Sequence, residues 1–171
     1  MLRSRCTQYK KCGRQGDCDR GRALQRIAQT RTQALTLQAI RILLVDDSDA
    51  VRHALCSLLG AHIEFEIVCE SVNGSAAISK TAELQPDVVL LDINLPDMNG
   101  LEVARQMKKV APSAEILLLC EQHDLLPMVK DGLQAGARGY VMKSDARDEL
   151  ATAIRQVHKK EQYIGLRFGV F

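Results

Sequence analysis

A chain of 171 residues that is 46% hydrophobic and 26% charged can bury the core of one globular domain. Its net charge of +2 hides an asymmetry: residues 1–40 hold nine basic residues against Asp17 and Asp19, a net +7, while residues 41–171 hold 14 basic and 19 acidic residues, a net −5. No run approaches the ~20 apolar residues of a membrane span, and the first apolar cluster, Ile40 to Val45, is too short for a signal-peptide core. The expectation is a cytoplasmic protein without a membrane partner, its six cysteines reduced.

Residues 1–39 read as a basic N-terminal arm, disordered or partly helical. Ala23, Leu24, Ile27, Ala28, Leu35 and Leu37 give it only a weak helical stripe. Cys6, Cys12 and Cys18 are spaced too widely for the paired ligands of a zinc site. With Tyr9 as almost the sole aromatic, the arm reads as a solvated tail rather than a nucleic-acid binder.

From Ile40 onward short aliphatic runs alternate with helical periodicity. A strand over 41–45 leads to a helix of about 49–60, with Ser48 as N-cap and Leu55, Leu58 and Leu59 on its apolar face. A strand of about 65–70 precedes a helix of about 74–84, which stops before Pro86. Cys56 and Cys69, inside these elements, read as small buried hydrophobes.

The third strand covers 87–91, and turn residues from Asn94 to Gly100 open a helix over 100–109. A fourth strand, Ile116 to Cys120, precedes a helix of about 124–135, with Pro127 in its first turn and Gly136 at its exit. The fifth strand spans 138–142, and a last helix runs from about Asp145 to Lys160. Strands alternating with helices imply right-handed crossovers and an α/β fold, a three-layer α/β/α sandwich on a five-stranded parallel sheet.

Residues with chemistry stand at the strand ends. Asp46 and Asp47 follow Ile42–Val45, Asp92 follows Val88–Leu91, and Lys143 follows Gly139–Met142. In a parallel sheet these ends open onto one edge, where ligands bind. Three carboxylates converging there repel one another unless a divalent cation or the lysine neutralises them, which describes a site for a phosphoryl group. Taken singly, each residue has a plainer role: Asp92 as a turn cap, Asp46 and Asp47 as a solvated pair before a helix, Lys143 on the surface.

The segments Leu44-Val45-Asp46-Asp47, Leu91-Asp92-Ile93-Asn94-Leu95-Pro96-Asp97-Met98-Asn99-Gly100 and Ala135-Gly136-Ala137-Arg138-Gly139-Tyr140-Val141-Met142-Lys143 resemble a response-regulator receiver domain. The resemblance covers residues 40–165, leaving 166–171 as a C-terminal tail. The last helix with Gln162-Tyr163-Ile164-Gly165 is similar to the NarL/LuxR-type branch in particular.

The resemblance implies a flavodoxin-like, CheY-like sheet of strand order 2-1-3-4-5, for which a receiver protein is itself a standard example. It implies that Asp92 is the phosphoacceptor, and that Asp46, Asp47, Asp92 and the backbone carbonyl of Asn94 hold Mg²⁺. Lys143 then meets a phosphoryl oxygen, and Tyr140 is the switch aromatic. Cys120 departs from the pattern, because the family places Thr or Ser there. A thiol is a poorer donor than a hydroxyl. Cys120 is either a substitute that weakens switching or a redox-sensitive residue, and the second role needs its pKa lowered by Lys143. Asn94 and Gln122 stand where the family tunes access of hydrolytic water.

The implied function is that of a receiver in a two-component phosphorelay. It takes a phosphoryl group from a sensor histidine kinase or phosphotransfer protein and signals to a downstream protein through helix 4, strand 5 and helix 5. It is expected to act as a phosphoprotein and not as an enzyme. A shortened NarL-type transcription regulator lacking its output domain is a close variant; nucleic acid is not an expected partner without that domain, and a homodimer through the last helix goes with either. The rival classes are a phosphorylation-independent pseudo-receiver scaffold and a haloacid-dehalogenase-type enzyme. The latter requires a second aspartate where Asn94 stands.

Overall fold

The computed structural model describes residues 38–121 and 126–165. Twelve elements follow in chain order: β1 (Ile40–Val45), α1 (Asp49–Leu59), β2 (Phe65–Ser71), α2 (Gly74–Leu84), β3 (Val88–Asp92), α3 (Gly100–Val110), β4 (Glu115–Cys120), α4 (Leu126–Gln134), β5 (Ala137–Met142), a 3₁₀ turn (Lys143–Asp145), α5 (Ala146–His158) and β6 (Tyr163–Ile164). The readings of the N-terminal arm, its cysteines, Gln122 and the C-terminal tail lie outside the described residues.

Strand alternation splits the core into two layers. Leu43, Val45, Val89, Leu91, Ile116 and Leu118 point to one face, where Val103, Ala104 and Met107 of α3 cover them. Ile42, Leu44, Val88, Leu90, Leu117 and Leu119 point to the other, against Leu55 and Leu59 of α1 and Leu150, Ile154 and Val157 of α5. Both faces are therefore apolar, which is why β1, β3 and β4 read as unbroken aliphatic runs. Replacing one of the central leucines by alanine should cost about 2–5 kcal/mol.

The sheet is parallel throughout, of order β2-β1-β3-β4-β5-β6. It contains the expected order of the first five strands and adds a sixth that periodicity missed. β6 is two residues long and pairs Tyr163 with Gly139 and Ile164 with Tyr140. Gly139 permits the approach, because a Cβ there would sit 2.6 Å from the Tyr163 carbonyl oxygen.

The helix starts follow the sequence. Ser48 caps α1 by accepting from the Val51 N–H, and Asn73 and Asn99 cap α2 and α3. Gln85 ends α2 in the left-handed region at φ 45°, directly before Pro86, and Gly136 leaves α4 at φ 98°. Cys56 and Cys69, expected as small buried hydrophobes, are only partly buried. β2 is an edge strand, so α1 and α2 leave its flanks half open, and the Cys56 thiol donates to Glu70 Oε1 at 3.5 Å.

Candidate functional site

Because β1 and β3 are neighbours, their C-terminal ends bring Asp46, Asp47 and Asp92 together. One carboxylate oxygen from each lies within 4.8 Å of the others. Asp46 is fully buried, Asp92 is 2% exposed, and Asp47 faces solvent. Asp46 Oδ1 accepts from the Ser48 N–H at 2.9 Å, tying the cluster to the start of α1. Arg52, buried on α1, donates to the Asp46 carbonyl at 2.8 Å and to Glu70 at 3.3 Å, and pairs with Asp49. That braces the strand end from below.

Lys143, at the end of β5, lies 2.8 Å from Asp46 Oδ2 and 3.0 Å from Asp92 Oδ2. Burial alone would lower its pKa, but the Asp46 and Asp92 carboxylates outweigh that and hold it above the ordinary lysine value. Burial pushes the Asp92 carboxyl up, against the opposing effects of Lys143 and the Asn94 N–H. The enclosed Asp46 Oδ2 meets the ammonium off axis and has no aligned hydrogen bond. A buried, incompletely satisfied carboxylate oxygen beside two more carboxylates is a donor set suited to a hard divalent cation.

The loop after Asp92 is folded tightly over the strand end. Asn94 donates its N–H to Asp92 Oδ1 at 3.3 Å, and Gly100 donates to the Ile93 carbonyl at 2.9 Å. A Cβ at Gly100 would meet the Asp92 carbonyl oxygen at 2.5 Å, so only glycine fits there. Asp97 fastens the same loop to α2, accepting from the N–H groups of Gly74 and Ser75 at 2.8 and 2.9 Å. Those N–H groups, with the Ser75 hydroxyl, draw the Asp97 carboxyl down to about 2.

Cys120 is buried at the end of β4 and donates to the Val141 carbonyl at 3.7 Å. Burial and the Asp92 charge push its thiol up to about 11, with Lys143 only partly opposing them. The lowered pKa that a redox role requires is thus not found. Tyr140 points inward and is fully buried beneath α4, its hydroxyl lying over Gly132.

Of the expected site residues among those described, Asp46, Asp47, Asp92, Asn94, Cys120 and Lys143 gather at this one sheet edge, and Tyr140 lies in the core behind Cys120. Sequence reasoning missed Glu121, whose carboxylate lies 3.4 Å from Lys143 Nζ. It also missed Arg52 and Asp97. Glu121 carries the signal that picked out the others, an acidic residue just beyond an apolar strand. Asp97 and Arg52 carry none, since their partners lie across the fold.

The response regulator receiver domain model matches residues 42–155. The transcriptional regulatory protein LnrK of Bacillus subtilis is 36% identical over 119 residues, covering 70% of this chain and 54% of LnrK. The response regulator protein VraR of Staphylococcus aureus is 34% identical over 122 residues, covering 71% of this chain and 58% of VraR. The chain thus spans a little over half the length of these curated relatives.

Among solved structures, a LuxR-family two-component response regulator from Aurantimonas sp. SI85-9A1 superposes with a TM-score of 0.72 at 28% identity, covering 77% of this chain and 93% of that one. The signal receiver domain of the putative response regulator NarL from Mycobacterium tuberculosis gives 0.67 at 29%, covering 71% and 97%. Among the described residues no helix is long and apolar enough to cross a membrane. With its sheet order, its acidic edge and these matches, the chain belongs to the response regulator receiver domain family and is similar to the LuxR- and NarL-type members.

Proposed function

We propose that this receiver accepts a phosphoryl group on Asp92 and signals through the α4–β5–α5 surface. The observation that carries the reading is the placement of Asp92: its carboxylate lies 3.0 Å from the Lys143 ammonium and shares an edge with Asp46 and Asp47. One Asp92 oxygen attacks the phosphorus of a phosphohistidine on a sensor kinase or phosphotransfer protein. A P–O bond forms as the P–N bond breaks, and the electron pair leaves on the imidazole nitrogen. With acetyl phosphate, acetate is the leaving group.

Asp46, Asp47, Asp92 and the Asn94 carbonyl would hold Mg²⁺, which when bound screens the carboxylates and phosphoryl oxygens. Lys143 supplies a fixed charge to a phosphoryl oxygen, and Asp46 and Arg52 keep the strand end in place. A phosphodonor made in the cytoplasm sets the reaction there. The likeness to LnrK supports a transcriptional output.

A second reading, a phosphorylation-independent scaffold, is favoured by one observation. The Cys120 thiol is bonded to the Val141 carbonyl where the family places a hydroxyl. Intact mass after incubation with Mg²⁺ and acetyl phosphate separates the two. The receiver reading expects one added phosphoryl group, which does not form when Mg²⁺ is chelated beforehand and is absent from Asp92→Asn. An unmodified parent chain would favour the scaffold.

A further inference from the structure

Lys143 is surrounded by carboxylates in a way that the phosphoacceptor reading does not use. An ammonium has three N–H donors. Three carboxylates crowd it: Asp46 at 2.8 Å, Asp92 at 3.0 Å and Glu121 at 3.4 Å, the last as a hydrogen bond to Oε1. The Lys143 side chain is only 11% exposed, so little water competes for it.

These three partners differ in their freedom to leave. The Asp46 and Asp92 side chains are 0% and 3% exposed, and both are anchored through Oδ1 to backbone N–H groups of Ser48 and Asn94. The Glu121 side chain is 63% exposed and has Lys143 as its ion-pair partner. It can swing into water at little cost, since exposed ion pairs are weak.

We propose that Glu121 is a positioning residue that gates phosphorylation by occupying the Lys143 donor a phosphoryl oxygen needs. In the unmodified protein its carboxylate stands in for that oxygen. When Asp92 oxygen bonds to phosphorus and the leaving group departs with its electron pair, the new phosphoryl group brings anionic oxygens to the same ammonium. Glu121 must then move aside, and its charge opposes the modified state. The gate lowers both the rate of loading and the affinity for a phosphoryl analogue. This inference rests on the phosphoacceptor reading of Asp92.

The test compares the parent chain with Glu121→Gln and Glu121→Ala in Mg²⁺. It reads the initial rate of acetyl phosphate labelling by intact mass and the Kd for beryllofluoride by calorimetry. Both variants should label about fivefold faster and bind beryllofluoride about fivefold more tightly, the scale of one like charge at a partly exposed site. The advantage should shrink as salt is raised from ~0.05 to ~0.5 M, because screening acts on the charge and not on shape.

Equal or slower labelling of both variants, or an advantage indifferent to salt, overturns the gate while leaving Asp92 as acceptor. Absence of phosphoryl from all three chains overturns the acceptor reading, and the gate with it.

Discussion

The hydroxyl of Tyr140 fills the space that a side chain at position 132 would need: a Cβ on Gly132 would lie 1.6 Å from Tyr140 Oη and 2.6 Å from Cζ. Gly132 is therefore the notch in α4 that seats the inward-facing ring. The ring links β5, and through Cys120 the acidic sheet edge, to α4.

Gly132→Ala should expel the ring or push α4 outward. Overpacking of this kind costs about 1–3 kcal/mol, read as a lowered urea midpoint together with altered near-ultraviolet dichroism of tyrosine. Tyr140→Phe in the same background removes the atom that clashes most and should restore part of the loss. An unshifted midpoint in Gly132→Ala would mean that the notch does not hold the ring.

Mg²⁺ should stabilise the fold, because it relieves the mutual repulsion of Asp46, Asp47 and Asp92. At a concentration ~100 times its Kd the gain is about 2.7 kcal/mol, visible as a rise in Tm. Asp47→Ala should abolish the rise, since the other two carboxylates already share Lys143. A rise of equal size in that variant would remove Asp47 from the ligand set.

Acid should loosen the loop after β3. The Asp97 carboxyl is drawn down to about 2 in the fold, below the unfolded value of about 3.9. Its contribution is thus present above about pH 4 and is lost as the pH falls toward 2. Asp97→Asn should flatten that part of the stability profile between about pH 4 and 2. Superimposable profiles would show that the Asp97 contacts with α2 carry no pH dependence.

Cys120 should be the slowest to alkylate of Cys56, Cys69 and Cys120, since it is 3% exposed and its thiol is pushed up to about 11. Mass mapping after iodoacetamide treatment at neutral pH gives the order. Cys120→Thr restores a hydroxyl donor and should raise the fraction of active-like molecules seen by NMR in beryllofluoride. Labelling of Cys120 as fast as Cys69 would contradict the buried, protonated thiol.

The sheet and the site were legible in the sequence for one physical reason. A parallel strand buried on both faces needs an uninterrupted aliphatic run, and the first polar residue after it falls at the ligand edge. Asp46, Asp92 and Lys143 were found that way. β6 was not, because a two-residue strand has no period of its own, and its place is set by the open edge of β5 and the missing side chain of Gly139. Asp97 and Arg52 escaped because their partners Gly74, Ser75 and Glu70 are joined to them by the fold and not by sequence spacing. The half-open setting of Cys56 and Cys69 followed from β2 lying at the sheet edge, which composition does not report.

Asp92 is the carboxylate proposed to carry the phosphoryl group. Borohydride reduces an aspartyl phosphate at the acyl carbon, so treating the acetyl phosphate-labelled protein and mapping its peptides identifies the modified residue. Conversion of Asp92 to homoserine, dependent on Mg²⁺, is the predicted result. Conversion at Asp46 or Asp47 with Asp92 intact, or at no carboxylate, would contradict the account.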